Sequence, residues 1–585
     1  MDGNPYENGH HAASFPYSTL MNLQAVFDIA EICAQHGIKN VILSPGSRCA
    51  PLTLAFVRHP KIQVRTISDE RAAAFIGLGI ALTTHQPVAL VCTSGTAVLN
   101  YGPAIAEAFY QQVPLLVFTA DRPFEWIDQL DGQTIRQENI YGAHIKRSFT
   151  FPVDTQHPDA NWFAQRILSE AILETKAYPP GPVQVNVPLR EPFYPKPGET
   201  MAFNPEVKVI KEWHNAYALT KAQQDQLQKE LLNFSKILVV AGQQAKETAT
   251  QAGLQSFVRA TGAVMVADII SNQHTLPEAI RYHDVFLNGE STKKADDLQP
   301  DLLISFGLSN ISKNLKLFLR DFPAREHWHL QPAGTAADPF QSLTRIIRCA
   351  PQSFFTQAST NKETVNKSYQ TEWRTQEELA ADYLQAFLGQ NYFNEFTAFA
   401  RILQHLPDNS ILHVANSMAV RYANIIGLKP EQNISVFANR GTSGIDGCTS
   451  TAVGSALSTH QIVTLVTGDL AFFYDRNGLW HNYLPNNLRI ILLNNHAGGI
   501  FRLIDGPRQQ PELAEFFETY QGLNAQLTAQ EFNLKYYPCE NLQQLTENLA
   551  NFWNNGPGIL EIFTKSEENA DFFQLYRQQS PFKSK

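Results

Sequence analysis

The sequence predicts an α/β protein made of three consecutive doubly wound parallel-sheet units. Short apolar runs recur along the chain, they end in Ser, Thr, Gly or Asn, and helical patterns separate them. Runs of that kind fit strands buried on both faces, with loops at their carboxyl ends. The length of 585 residues also exceeds a single core, since ~150 residues per domain leaves room for three or four.

The first unit, 21–195, follows a terminus at 1–20 that reads as flexible. Its strands are expected at Asn40-Val-Ile-Leu-Ser-Pro, Val88-Ala-Leu-Val-Cys-Thr, Pro114-Leu-Leu-Val-Phe-Thr and Gly181-Pro-Val-Gln-Val-Asn-Val. The proline-rich stretch Tyr194-Pro-Lys-Pro-Gly-Glu-Thr breaks the alternation and reads as a linker. A central unit, 210–355, has strands expected at Ile237-Leu-Val-Val-Ala-Gly, Ala263-Val-Met-Val-Ala-Asp and Asp301-Leu-Leu-Ile-Ser-Phe-Gly, and the polar tract from Gln357 closes it. The third unit, 390–585, carries Ser410-Ile-Leu-His-Val-Ala-Asn, the pair of strands around 463–495, and Gly558-Ile-Leu-Glu-Ile-Phe.

A formal charge of −9 argues against broad binding to nucleic acid or acidic lipid, so an anionic substrate must meet a local basic cluster. No run approaches the ~18 apolar residues of a membrane span, and the start lacks a basic region followed by an apolar one. A cytoplasmic protein is expected. The six cysteines lack CxxC spacing, which suggests buried free thiols rather than a zinc site or disulfides. In the central unit, Val240-Ala-Gly-Gln-Gln has one glycine where a dinucleotide turn wants several, so that unit reads as structural.

The most informative chemistry lies in the third unit. Val463-Thr-Leu-Val-Thr-Gly-Asp-Leu470 and Arg489-Ile-Ile-Leu-Leu-Asn-Asn495 read as two strands joined by a helix. Parallel strands of such a unit end on one sheet edge, which brings Asp469 and Asn495 together. One carboxylate and one amide carbonyl make a sparse oxygen site. Mg²⁺ suits it, because that ion keeps most of its shell for water and phosphate oxygens. A diphosphate held through Mg²⁺ is therefore expected. In the first unit, Glu70 opens a helix rich in small residues, Ala72-Ala-Ala-Phe-Ile-Gly-Leu-Gly-Ile-Ala, where the helix dipole favours a carboxylate.

Asp469 with Asn494-Asn495 resembles the thiamine-diphosphate motif, Gly-Asp-Gly followed after a helix by Asn-Asn, with Leu470 replacing its last glycine. Three further segments narrow the resemblance: Leu43-Ser-Pro-Gly-Ser-Arg48; Thr93-Ser-Gly-Thr96 with Thr119-Ala-Asp-Arg122-Pro123; and Ser435-Val-Phe-Ala-Asn439-Arg440-Gly-Thr-Ser-Gly-Ile445-Asp446-Gly447. With them the chain resembles, across all three units, the 2-succinyl-5-enolpyruvyl-6-hydroxy-3-cyclohexene-1-carboxylate (SEPHCHC) synthases of menaquinone biosynthesis. Acetolactate synthase-like carboligases are the alternative; they share the fold and metal motif but not the Ser-Pro-Gly-Ser-Arg and Asn-Arg-Gly segments.

The resemblance implies three domains of the thiamine-diphosphate-enzyme type: pyrimidine-binding, central, and diphosphate-binding. It implies thiamine diphosphate with Mg²⁺ or Mn²⁺, and a reaction that decarboxylates 2-oxoglutarate and adds the succinyl unit to isochorismate. By motif match, Glu70 serves the aminopyrimidine ring, and Asp469, Asn495 and the Ala497 carbonyl hold the metal. Ile445 wedges the cofactor into its bent form. Ser417, Arg421 and Arg440 are implied for 2-oxoglutarate and the adduct, and Arg48, Arg122 and Gln133 for isochorismate. Guanidinium forks suit substrates that each carry two carboxylates. Ile500 and Phe501 would form an apolar wall over the thiazolium. Lys313 comes from the central unit, followed here by Asn314 where many relatives have arginine. A homodimer or dimer of dimers, with the site between subunits, is implied as well.

Overall fold

The computed structural model describes residues 18–195, 201–213, 217–287, 295–358 and 366–582. The terminus up to residue 17, including the Gly9-His-His-Ala tract, and parts of the tracts read as linkers lie outside these residues. The chain is already helical at Ser18–Gln35, so the helix starts inside the segment expected to be flexible.

Each unit contains one six-stranded, wholly parallel sheet. The first is built from β1 (Asn40–Leu43), β2 (Gln63–Thr66), β3 (Val88–Cys92), β4 (Leu115–Asp121), β5 (Arg147–Thr150) and β6 (Val183–Pro188). The second uses β7 (Ile237–Ala241), β8 (Val264–Ala267), β9 (Ala279–Ile280), β10 (Leu302–Phe306), β11 (Glu326–Leu330) and β12 (Arg345–Ile347). The third uses β13 (Ile411–Val414), β14 (Ser435–Phe437), β15 (Val463–Gly468), β16 (Leu488–Asn494), β17 (Lys535–Cys539) and β18 (Gly558–Phe563). Every apolar run expected as a strand is one, and the central strands are buried throughout.

The first and third sheets share a strand order, β2-β1-β3-β4-β6-β5 and β14-β13-β15-β16-β18-β17, whereas the second runs β12-β11-β10-β7-β8-β9. In open α/β sheets ligands bind beyond the carboxyl ends of the strands where the order reverses. Those points lie between β1 and β3 and between β13 and β15. The motif segments at Ser44, Thr93, Asn416 and Asp469 are the ones that follow these four strands. At the matching point of the second sheet, the loops after β7 and β10 bond to each other instead: Gln243 N to Ser309 O and Leu308 N to Gln243 O, both 2.9 Å.

The first and third units pack through two helices, Glu70–Thr84 and Cys448–Ala456. Their backbones approach so closely that a Cβ on Gly79 would lie 2.0 Å from the Thr451 carbonyl oxygen. A Cβ on Gly454 would lie 2.0 Å from that of Ile76, and one on Gly447 would strike the Phe75 ring at 2.2 Å. The Thr83 and Ser455 hydroxyls meet at 2.6 Å across the same seam, and the small side chains around them join one hydrophobic cluster that spans both sheets. The second unit docks on the third through Asn272, whose amide pairs with both the N–H and the C=O of Val436, and through Ile269 N donating to Asn424 Oδ1 at 3.0 Å. A long helix between these units, Lys367–Leu388, was not expected from the sequence; Trp373, Leu384 and Phe387 fasten it into their shared core. All six cysteines are buried and unpaired, as expected, and no helix among the described residues is long and apolar enough to cross a membrane.

Gly454→Val is predicted to destabilise the fold by about 3 kcal/mol, because overpacking here meets backbone and not a yielding side chain. Thermal unfolding followed by circular dichroism checks it, with Gly102→Ala as control, since nothing lies within 4 Å of a Cβ at that glycine.

Candidate active site

A cavity of about 350 Å³ opens at the carboxyl edge of the third sheet. Its walls include Ser417, Arg421, Arg440, Ile445, Asp469, Asn495, Ala497, Ile500 and Phe501, every residue proposed from the third unit. They come from separate loops, which the parallel strand order gathers at one edge.

Asp469 is the first residue of a short helix, Asp469–Tyr474, directly after β15. It is 2 % exposed, and its carboxylate accepts from Gln521 Nε2 and from its neighbour Leu470 N, both at 2.8 Å. No lysine or arginine pairs with it among the described residues. Burial therefore pushes its pKa up, against the opposing pull of Gln521. Asn495 follows β16; its Oδ1 accepts from Ala497 N at 2.9 Å and its Nδ2 donates to Glu395 Oε1 at 2.6 Å. Glu395 lines the cavity too, and burial lifts its pKa to about 7, with the charge of Asp469 adding to the shift.

The Asp469 carboxylate, the Asn495 amide oxygen and a loop carbonyl, with no lysine or arginine paired to Asp469 among the described residues, are a donor set that a hard divalent cation completes. No group of three or more His, Cys, Asp or Glu side chains able to hold a metal occurs among the described residues. That agrees with a site whose remaining ligands are neutral oxygens and phosphate. The loop is also shaped by its glycines: a Cβ on Gly499 would sit 3.0 Å from Asn495 Nδ2.

The cationic part of the cavity has other neighbours. Arg440 donates to Asn416 Oδ1 at 3.1 Å, while its Nε is buried with no protein acceptor among the described residues. Burial lowers its pKa, opposed by the charges of Asp268 and Glu107. Asn416 in turn binds the carbonyls of Asn439 and Gly444 at 2.7 and 2.6 Å, tying β13 to the Arg440 loop. Glu107, from the first unit, is 1 % exposed and accepts from Gly441 N and Thr442 N at 2.7 Å and from the Thr442 hydroxyl at 2.6 Å. Arg421 bonds back to the Ser417 carbonyl one helical turn away and lies within electrostatic reach of Arg440. Ser417 itself has φ 72°, a strained left-handed turn at the β13 end.

The first-unit residues form a second group, away from this cavity. Arg48 is buried, donating to Leu189 O at 3.0 Å with its guanidinium 4.5 Å from the Phe193 ring centroid. Arg122 bonds Gly132 O at 2.8 Å and pairs with Asp131 at 2.6 Å, and the exposed Gln133, at φ 56°, lies beside Gly95. Glu70 follows the N-cap Asp69, whose side chain accepts from Ala72 N at 3.1 Å, and its charge reaches the buried Cys92 thiol at the end of β3. All four therefore lie at the carboxyl edge of the first sheet, and none lines the Asp469 cavity. Lys313 is exposed on the first turn of the helix Lys313–Asp321 and does not line it either. Lys316, one turn on, is the central-unit cation whose charge is felt with that of Arg440.

Sequence reasoning missed Glu107, Glu395, Lys316, Asn416 and Gln521 as site residues. Asn416 stands inside the motif that carries Ser417 and Arg421 but was given no role; the others are single polar residues outside a recognisable motif, each with its partner in a distant segment. The one available signal was Asn394-Glu395 ahead of an apolar run, which reads as a helix cap. Asn394 does cap that helix.

Comparison with known proteins follows the same outline. Residues 23–140 match the family model described as the N-terminal TPP binding domain of thiamine pyrophosphate enzymes, and 207–414 match the model described as the middle domain of thiamine pyrophosphate. The 2-succinyl-5-enolpyruvyl-6-hydroxy-3-cyclohexene-1-carboxylate synthase of Cytophaga hutchinsonii is 46% identical over 95% of this chain and 99% of its own. Proteins of the same name from Flavobacterium johnsoniae and Bacteroides fragilis are 38% and 34% identical, over 94% and 95% of this chain and 97% and 98% of theirs.

Glu107→Gln removes a charged acceptor from the Arg440 loop, and hydrogen bonds to charge contribute about 1.5–3 kcal/mol. Amide exchange at Gly441 and Thr442 is predicted to quicken about tenfold or more, as read by mass spectrometry at peptide resolution, with exchange in β15 and β16 unchanged.

Proposed function

We propose how these residues serve one reaction, from the premise that the chain belongs to the SEPHCHC synthase family of thiamine-diphosphate-dependent enzymes. The family reaction is the decarboxylation of 2-oxoglutarate and addition of the succinyl unit to isochorismate, giving SEPHCHC and CO₂ on the way to menaquinone. The observation that carries the assignment to residues is the cavity. It combines buried carboxylates that no lysine or arginine pairs with among the described residues, two arginines, and an apolar wall.

In this reading Asp469, the Asn495 amide oxygen and the Ala497 carbonyl hold the divalent cation that grips the cofactor's diphosphate. Thiamine diphosphate, when bound, supplies the electron sink that lets a 2-oxo acid lose CO₂ and its acyl carbon act as a nucleophile. Glu70 would hold the aminopyrimidine ring through its carboxylate, which can carry a proton for that ring. Ile445, which lines the cavity, would pack against the cofactor and support its shape. Arg440, with an N–H already buried and free of protein acceptors, takes a substrate carboxylate, and Arg421 with Ser417 completes the anion pocket. Ile500 and Phe501 keep water out, so the charged carboxylate is disfavoured relative to the neutral CO₂ it becomes. Arg48, Arg122 and Gln133 then bind isochorismate, which also carries two carboxylates, with Lys313 at the margin.

The residue ranges 21–195, 210–355 and 390–585 are the pyrimidine-binding, central and diphosphate-binding domains in this reading. Because Glu70 does not line the Asp469 cavity of its own chain, a complete site takes the first domain of one copy and the third of another. Large apolar side chains exposed near both groups, among them Phe124, Trp126, Leu130, Phe516, Tyr520 and Leu527, support a homodimer.

The test is the absorbance of isochorismate with purified protein, Mg²⁺ and thiamine diphosphate. Loss of absorbance is predicted to require both 2-oxoglutarate and the cofactor; loss without 2-oxoglutarate would count against the reading. Glu70→Gln is predicted to lower kcat by ~10²-fold or more while cofactor affinity is retained, and near-normal turnover would remove Glu70 from its role.

A further inference from the structure

An asparagine binds a cation only through the oxygen of its amide, yet the amide's two ends have nearly the same shape. Something must hold Asn495 the right way round, and the structure contains a group suited to that. Glu395 Oε1 accepts from Asn495 Nδ2 at 2.6 Å, a contact between residues one hundred positions apart in the chain. An ionised carboxylate only accepts and an amide N–H donates, so Glu395 in its ionised form, which a cation bound beside it favours, selects the nitrogen end. At the other end Ala497 N donates to Oδ1 at 2.9 Å, and an amide oxygen has a second lone pair to offer in this residue that lines the cavity.

Glu395 is itself rigidly placed. It is 4 % exposed and opens the helix Glu395–Gln404, which Asn394 caps by accepting from Phe396 N and Thr397 N. Its own N–H donates to Asn569 Oδ1 at 3.0 Å, and Asn569 is fastened to Thr564 Oγ1 at 2.9 Å in the loop after β18. No lysine or arginine pairs with the carboxylate among the described residues. Gly499 leaves room for the same end of the amide, since a Cβ there would stand 3.0 Å from Asn495 Nδ2.

We infer that Glu395 is a positioning residue for the divalent cation, holding Asn495 so that Oδ1 and not Nδ2 faces the ion. The inference rests on the reading that Asp469, Asn495 and Ala497 are the ligands. Partners of this kind orient metal ligands, and their loss typically weakens metal affinity by ~10–100-fold.

The experiment counts bound Mn²⁺ directly, by the loss of its free-ion paramagnetic resonance signal, in full-length protein saturated with thiamine diphosphate. Glu395→Met is expected to weaken Mn²⁺ binding by ~10-fold or more. Glu395→Gln, which still offers Asn495 a carbonyl oxygen, is expected to stay within about threefold of wild type. A purely structural role for Glu395 would lower the melting temperature of the metal-free protein and leave the affinity of the folded protein unchanged, which would overturn the inference. Equal losses in the Gln and Met variants would make Glu395 a ligand in its own right and overturn it as well. Asp469→Ala separates this from a failure of the site reading: if that variant keeps wild-type affinity, the ion lies elsewhere. Should Glu395→Met not fold, a Mn²⁺-soaked crystal of the wild type decides. Glu395 bonded to Asn495 Nδ2 and off the ion supports the inference, and a Glu395 oxygen on the ion contradicts it.

Discussion

The close approach of two helices, Glu70–Thr84 from the first sheet and Cys448–Ala456 from the third, is the constraint on which the rest of the structure depends. Glycines at 79, 447 and 454 let backbone meet side chain and backbone there, and no larger residue fits without moving one sheet against the other. Both helices begin at functional loops. Glu70 opens one, and the segment carrying Arg440 and Ile445 runs into the other. The same seam is pinned at its edges by Asn477 donating to Asp69 at 2.8 Å, by Arg71 binding the Tyr474 carbonyl at 2.8 Å, and by Glu107 under the Arg440 loop. Fixing the seam therefore fixes where the carboxylate of the first domain and the arginine of the third sit in the subunit.

The cavity is electrically divided. Arg440 and Arg421 have each other, Asp268, Asp284 and Glu107 as charged neighbours, whereas Glu395 feels Asp469, and Asp469 has His496 beside it. An acidic protein thus sets buried arginines and buried carboxylates side by side in one cavity, as the proposed anion and cation sites require. Burial sharpens both, since each unpaired charge is costly until its ligand arrives. The central domain contributes mainly support: its loops hold β14 and the segment after it, and Lys316 adds charge near Arg440.

Much of this was legible in the sequence, for reasons that can be named. Strands buried on both faces leave continuous apolar runs, so β1, β3, β4, β6, β7, β8, β10, β13, β15, β16 and β18 stood out. Edge strands such as β2 and β5, with Gln63-Val-Arg-Thr and Arg147-Ser-Phe-Thr, are exposed at both ends and have no such run. β11 was hidden by its own histidines, His327 and His329, which face the Ser305 hydroxyl inside the sheet. Among site residues, those in motif loops were found because strand ends concentrate them at one edge. Glu107 and Glu395 were not, because what gives each its place is a hydrogen bond across hundreds or one hundred residues of chain, which no local pattern records. The small residues of 72–81 suggested a close partner, but the matching glycine at 454 acquires meaning only when the two helices are seen together.

Division of labour between copies is the central claim: the carboxylate from the first domain of one subunit serves the metal site in the third domain of another. Mixing tests it directly. Glu70→Gln and Asp469→Asn variants, each inactive alone, are co-expressed, separated as the mixed species by distinct tags or left as a random mixture, and assayed for isochorismate consumption. The account predicts recovery to about a quarter of wild-type activity in the random mixture, the share of sites that receive both intact groups. No recovery from mixed dimers shown to form would contradict it and return both groups to a single chain.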